Sequence, residues 1–131
     1  MLFRSLFTGP LINHGGPVHN APTVYVVFWG WSSDPSGEAA YLTDFLSSVG
    51  GSPWLASVTQ YDGGNPSDLY GGSWSDPTPI PTQPTDPQIQ NEAIAAMNHF
   101  GLGTAVHVEI IVATPTGHSS SGFGKIGRAH V

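Results

Sequence analysis

The sequence predicts an α/β domain with a mainly parallel sheet and flanking helices. Two apolar runs, at residues 23–30 and 105–114, lack the alternation of half-exposed strands and are typical of strands buried on both faces. Two stretches with helical spacing, at about 35–49 and 86–100, lie between these runs. Helices placed between strands favour parallel pairing through helical crossovers.

The first half of the chain predicts a strand, a helix and a second, shorter strand. The run TVYVVFWG at 23–30 is rich in β-branched and aromatic residues. The tripeptide Ser-Asp-Pro at 33–35 is a typical helix start, and the glycine pair at 50–51 is a typical helix end. Residues 57–61 are a candidate short strand. The predicted helix has an apolar face made of Leu42, Phe45, Leu46 and Val49.

The second half predicts a long loop, a capped helix and an edge strand. Residues 62–84 are rich in Gly, Pro, Ser and Asp, which indicates a surface or functional loop. Thr85 and Gln88 form a capping-box pattern before the second helix. On the last strand, His107 and Glu109 share one face. We expect an edge strand with a solvated face there; a metal or acid–base pair is the alternative.

Both ends of the chain resemble the translation of one short-read sequencing adapter, read in opposite directions. The matching segments are MLFRS at 1–5 and IGRAHV after Lys125. We therefore expect residues 1–5 and 125–131 to be non-native, and residues 6–124 to be the amino-terminal part of one incomplete α/β domain. A genuine basic tail is the alternative interpretation.

The distribution of charge limits the classes of partner that the chain can bind. Arg4, Lys125 and Arg128 are the three basic residues, whereas all nine acidic residues lie within residues 6–124. A segment without cations lacks the electrostatic attraction that nucleic acids and anionic membranes require. The absence of cysteine excludes disulfides and thiolate zinc sites in the chain, and no apolar run approaches the ~20 residues of a membrane span.

Two histidine-containing segments are candidates for ligand binding. His14 and His19 lie five positions apart among Gly and Pro, but a zinc site needs three or four ligands, so a turn with backbone-bonded histidines is favoured. His118 follows the second long strand, where open α/β sheets place ligands. Its segment, PTGHSSSGFG, lacks the second glycine and the following helix of a nucleophile elbow. A binding loop and an ordinary surface loop remain as alternatives.

Tryptophans are the other candidates for substrate contact. Trp29 and Trp31 flank the end of the first strand, and Trp74 lies in the long loop. Indole rings in these positions either stack on a sugar ring or fill the core. The pattern identifies no catalytic residue.

Three stretches together resemble one protein family. They are HGGPVHNAPTVYVVFWG, FLSSVGGSPW with TQYDGG, and VATPTGHSSSGFG. In this order they are similar to secreted bacterial relatives of the plant phosphate-induced, EXORDIUM-like proteins. The resemblance implies an extracellular protein with a signal peptide upstream. It also implies a later helix resembling His-Glu-x-x-(His/Glu), beyond Gly124, of the kind that holds zinc in peptidases.

Three functional hypotheses follow from these observations. The leading one is an amino-terminal fragment of an EXORDIUM-like, metallopeptidase-like extracellular protein, inactive as given, with zinc as a cofactor of the full-length parent only. The second is a non-enzymatic module that binds carbohydrate or a cell-wall or matrix component. The third is a self-contained domain with a hydrolase site near His118. The sequence does not indicate an oligomeric state.

Overall fold

The computed structural model describes residues 12–120, apart from the side chains at positions 60 and 62. Within that range three parallel strands and three α-helices form an α/β arrangement. In chain order the elements are β1 (Thr23–Trp29), α1 (Glu38–Val49), a 3₁₀ turn (Leu55–Val58), α2 (Thr59–Asp62), β2 (Tyr70–Asp76), α3 (Asp86–His99) and β3 (Val108–Ala113). The predicted α/β class with a mainly parallel sheet is confirmed.

The sheet has the strand order β2-β1-β3, so β1 is central. Val27 pairs with Trp74 of β2 on one side and with Val112 of β3 on the other. The chain passes from β1 to the neighbouring β2 and then crosses back over β1 to reach β3. The sheet therefore reverses its direction of growth between β1 and β3.

Both faces of β1 are buried, as its continuous apolar run predicts. Val26 packs with α1 residues Leu46 and Val49 in one cluster. Side chains alternate along a strand, so Val27 and Trp29 point to the opposite face, where α3 packs. Val26 and Val27 are both fully buried. The result is a three-layer arrangement with β1 at its centre.

Helix α1 begins three residues later than the sequence predicts. Both carboxylate oxygens of Asp34 accept hydrogen bonds from the backbone N–H groups of Glu38 and Ala39, at 2.8 and 3.0 Å. These bonds satisfy donors that the first helical turn leaves free, so Asp34 caps the helix from outside it. The helix ends at Val49, as predicted. A Cβ at Gly50 would lie 2.7 Å from the carbonyl oxygen of Pro66, so glycine allows the chain to pass closely there.

The prediction of a short strand at residues 57–61 is wrong. This segment forms the 3₁₀ turn and α2 instead. The N–H of Ser57 donates to the carbonyl of Trp54, and the hydroxyl of Thr59 donates to the carbonyl of Ala56. Hydrogen bonds over three residues hold the segment in helical turns, and they outweigh the strand preference of its β-branched residues.

The predicted loop at 62–84 contains β2, which the sequence did not reveal. The strand reads YGGSWSD, and its two glycines and two serines are typical of loops. A Cβ at Gly71 would lie 2.5 Å from the ring of Tyr25. Glycine is therefore what lets this strand approach β1, and the register shifts at the same place, between Val24 and Tyr25.

The last helix and strand follow their predictions closely. The capping box of α3 is present: the hydroxyl of Thr85 accepts the N–H of Gln88, and the side chain of Gln88 accepts the N–H of Thr85. Strand β3 starts at Val108 rather than at 105, because the N–H of Ala105 closes a turn by donating to Leu102. In the described part of the chain, β3 pairs with β1 alone, and its Glu109 is exposed.

We predict that Thr85→Ala lowers the free energy of unfolding by about 1 kcal/mol, because the N–H of Gln88 loses its acceptor. Thr85→Ser keeps the hydroxyl and should stay within a few tenths of a kcal/mol of the unmodified chain. Urea denaturation followed by far-ultraviolet circular dichroism measures both variants. Equal losses in the two variants would contradict a capping role for the hydroxyl.

Candidate functional site

A groove lies at the carboxyl ends of β1 and β3, and we call it the carboxyl-end groove. Its volume is about 320 Å³, at the lower end of the range for small-molecule sites. The segments that follow β1 and β3 form its walls. Open parallel sheets bind ligands at the carboxyl ends of strands where the strand order reverses, which is the position of this groove. Its lining is Gly30–Ser36, Glu38, Pro115, Thr116 and His118.

Trp31 forms part of the wall and is held in place by two interactions. Its indole N–H donates to the carbonyl oxygen of Ala113, at the end of β3, at 2.9 Å. Its ring meets Phe28 edge to face, with 5.3 Å between ring centroids. Trp31 also lines a second groove of about 370 Å³ between α1 and the sheet. The indole is therefore fixed between two open spaces and is half-buried.

The carboxyl-end groove is unsuited to an anion. The amino-terminus of α1 opens onto it, and such a helix end commonly binds phosphate through its free N–H groups. Here the carboxylate of Asp34 already accepts two of those N–H groups, and Glu38 adds a second acidic side chain. Residues 12–120 contain no Lys or Arg to offset these charges. The groove instead offers hydrogen-bond acceptors and hydroxyls.

His118 lies at the far wall of this groove, and its loop is tied down. Its Nδ1 is 2.8 Å from the carbonyl oxygen of Pro81, and a carbonyl can only accept, so Nδ1–H donates. Its own carbonyl accepts the hydroxyl of Thr114 at 2.7 Å, and Ser119 N–H donates to Thr82. His118 also borders an apolar groove of about 400 Å³ between α3 and β3. Among the predicted site residues, the structure therefore brings Trp31 and His118 together.

The remaining predicted site residues lie elsewhere. Trp29 is buried, and its indole N–H donates to the hydroxyl of Thr78 at 3.1 Å, so Trp29 belongs to the core. Trp74 lies on β2, where its ring stacks on His99 at 4.3 Å with 9° between the planes. His14 is exposed before β1 and lines none of the three grooves described here.

His19 lies against a histidine that is distant in the sequence. The ring of His19 meets that of His107 edge to face, with 5.8 Å between centroids. In the segment that precedes β1, a turn is closed by Asn13, whose side-chain oxygen accepts the N–H of Gly15 at 2.7 Å.

Two buried carboxyl groups form a pair that the sequence did not predict. Asp76 ends β2 and Glu92 lies on α3; each is 6 % exposed. Asp76 faces α3, since it lies two residues after Trp74, which stacks on His99, and Asp76 Oδ1 accepts the N–H of Thr78 at 2.8 Å. Burial, then the neighbouring Asp76 carboxylate and the hydrogen bond with it, raise the pKa of Glu92 to about 7. Among the described residues, Glu92 Oε1 is a buried oxygen without a hydrogen-bond partner.

A helical-spacing signal for Glu92 was present in the sequence. Glu92 lies three residues after Ile89 and four before Ala96, on the side of α3 that faces the sheet. An acidic residue in that position is unusual, since isolated charges are seldom buried. Asp76 gives no comparable signal, because the composition of β2, YGGSWSD, is typical of a loop.

A second unpredicted feature is an exposed aromatic pair formed by Phe45 of α1 and Trp54, which follows that helix. Trp54 is 70 % exposed and Phe45 is 46 % exposed. Their rings meet edge to face with 6.4 Å between centroids. The predicted apolar face of α1 is therefore only partly covered: Leu46 and Val49 are buried, whereas Phe45 packs against Trp54 at the surface.

Comparisons with known proteins give no independent assignment. No protein-family model, curated protein or solved structure matches this chain. Residues 12–120 contain no group of three or more His, Asp or Glu side chains placed to hold one metal ion. None of the helices in that range has the length and hydropathy needed to cross a membrane.

We predict that Trp31→Phe lowers the free energy of unfolding by about 1–2 kcal/mol, because the carbonyl of Ala113 loses its donor while the ring contact with Phe28 is kept. Trp54→Phe is the matched control, since Trp54 is largely exposed. It should change the free energy by less than about 0.5 kcal/mol. Urea denaturation of both variants measures the difference, and equal effects would show that the Trp31 bond contributes no net stability.

Proposed function

We propose that this chain is the amino-terminal part of an EXORDIUM-like extracellular protein and that it binds a neutral saccharide in the carboxyl-end groove. The observation that carries the binding function is the position of this groove, between the segments that follow β1 and β3, at the reversal of strand order. The family assignment is supported by the three sequence stretches that resemble EXORDIUM-like proteins. Two of them contribute to the walls of this groove, one through Gly30 and the other through Pro115, Thr116 and His118.

The chemistry of the lining favours an uncharged, hydroxyl-rich ligand. Ser32, Ser33 and Thr116 offer hydroxyls that both donate and accept hydrogen bonds. Glu38 offers carboxylate oxygens that accept from sugar hydroxyls, and Trp31 offers an aromatic surface for the apolar side of a sugar ring. The lining holds two acidic side chains, and residues 12–120 contain no Lys or Arg, so the groove disfavours phosphorylated and carboxylated ligands.

The sugar-binding role is therefore proposed for one of the three candidate tryptophans. Trp29 is enclosed in the core, and one face of Trp74 is covered by His99. Zinc-dependent hydrolysis stays a prediction about the full-length parent, where the resemblance places the metal-binding helix after Gly124. Any substrate cleaved by such a parent would be held, on this proposal, by the groove that this chain supplies.

We predict that the chain binds cellobiose or N,N′-diacetylchitobiose and that Trp31→Ala weakens the affinity by at least about tenfold, because the aromatic wall is removed. Thr116→Tyr fills the groove from its exposed rim and should also weaken binding, without removing a buried side chain. Isothermal titration calorimetry measures the affinities, with digalacturonic acid as the anionic comparison.

Trp54→Ala is the control, because Trp54 lies outside the groove and is largely exposed. Its affinity should equal that of the unmodified chain. Loss of binding in Trp54→Ala with retention in Trp31→Ala and Thr116→Tyr would move the site to the surface aromatic pair. Absence of binding to either neutral disaccharide, or tighter binding of the digalacturonic acid, would refute the proposed ligand class.

A further inference from the structure

We propose that Asp76 and Glu92 share one proton and act as a pH-sensitive latch that holds α3 against the sheet and fixes the wall of the carboxyl-end groove. The proposal stands on geometry: both side chains are buried, Asp76 ends β2 on the same face as Trp74, which stacks on His99 of α3, and Glu92 Oε1 has no hydrogen-bond partner among the described residues. Two adjacent buried carboxylates cannot both be ionised without a cation beside them.

The hydrogen bonds indicate which group carries the proton. Asp76 Oδ1 accepts the backbone N–H of Thr78, so Asp76 already serves as a hydrogen-bond acceptor. Glu92 is then the protonated partner and donates to Asp76. The raised pKa of Glu92, about 7, agrees with this assignment. One proton therefore replaces the cation that a buried acidic pair would otherwise require.

Among the described residues, no charged side chain other than Asp76 acts on Glu92. Helix α3 packs on β1 and β3. The side chains of those strands on this face are Tyr25, Val27, Trp29, Ile110 and Val112, given the strand register. Tyr25, the titratable member of that set, lies against Phe100 beyond the end of α3. On α3 itself, Asp86 lies in the first turn and His99 in the last. Asp76 of β2 is therefore the acidic group that acts on Glu92.

The latch is connected to the groove through short hydrogen bonds. The backbone carbonyl of Asp76 accepts the N–H of Gly30, at 2.8 Å, and Gly30 precedes Trp31 in the groove wall. The carboxylate of Asp76 holds Thr78, whose hydroxyl accepts the indole N–H of Trp29. Ionisation of Glu92 would place a second negative charge against Asp76 and loosen these bonds together.

The direction of the pH effect follows from the raised pKa. In the unfolded chain Glu92 has its ordinary pKa of 4.5, whereas in the folded chain its pKa is about 7. The folded state therefore holds more protons between these values. The stabilising contribution is complete below pH 4.5, falls as the pH rises towards 7, and is lost above 7.

We predict that the unfolding equilibrium constant rises, through this pair, by on the order of a hundredfold between pH 4.5 and 8. Urea denaturation of the full chain across this range measures it. Glu92→Gln should remove this rise, since its amide donates to Asp76 at every pH. Glu109→Gln, an exposed glutamate of β3, is the matched control and should keep the pH dependence of the unmodified chain. The unmodified chain and Glu92→Gln share every other titratable group, so the difference between them isolates Glu92.

Asp76→Asn separates the causes of the effect. Burial is the largest cause of the raised pKa, so this variant should reduce the pH dependence without abolishing it.

The connection between the acidic pair and the groove is measured separately, by the ¹⁵N NMR signal of the Trp29 indole. This signal should titrate with a midpoint near 7 in the unmodified chain and should not titrate in Glu92→Gln.

Two results would overturn the latch. One is a pH dependence of unfolding that is the same in Glu92→Gln as in the unmodified chain. The other needs no variant, so it applies even if Glu92→Gln fails to fold. It is a ¹³C NMR titration of the Glu92 carboxyl group in the unmodified chain that gives a midpoint at the ordinary pKa of 4.5.

Discussion

The burial of β1 on both faces is the constraint on which the rest of this fold depends. A strand with Val26 turned to one side and Val27 to the other, both fully buried, must be covered above and below. Helix α1 covers the first face and α3 the second. Strands β2 and β3 form backbone hydrogen bonds with the two edges of β1. Since all three strands run in parallel, their carboxyl ends meet at one edge of the sheet. The carboxyl-end groove lies at that edge, so its location follows from the same burial.

The lack of cations in residues 12–120 is the second constraint, and it determines how the acidic residues are accommodated. Asp34 is stabilised by backbone N–H groups at the start of α1. Glu109 remains exposed on the edge strand. Neither arrangement is open to Asp76 and Glu92, because both side chains are buried and Asp76 acts directly on Glu92. A retained proton is the remaining way to limit the charge at that position, and it makes the packing of α3 depend on pH.

The sequence predicted the elements whose signals are local. The apolar run of β1 indicated its double burial, and Thr85 with Gln88 indicated the start of α3. Strand β2 could not be found in this way, because Gly71 is required by the ring of Tyr25, a contact made across the sheet. The wrong prediction at residues 57–61 has the opposite cause: short-range hydrogen bonds prevailed over residue preference. The start of α1 also differs from the prediction because of local hydrogen bonds: Asp34 caps the helix from outside, and the helix begins at Glu38.

The candidate site shows the same division between local and long-range causes. The position of His118 after a buried strand was enough to place it at the carboxyl end of the sheet, where it now lines the groove. The three tryptophans could not be separated by sequence, because core and surface indoles share the same neighbours in the chain. Long-range bonds separate them: Trp29 donates to Thr78 inside the core, whereas Trp31 donates to Ala113 at the groove wall.

Asp76 joins these two environments, because its carboxylate holds Thr78 and its backbone holds Gly30. The core indole, the groove wall and the buried acidic pair are therefore linked through one residue. A change in the charge of the pair should reach the groove without any contact between the acidic side chains and a ligand.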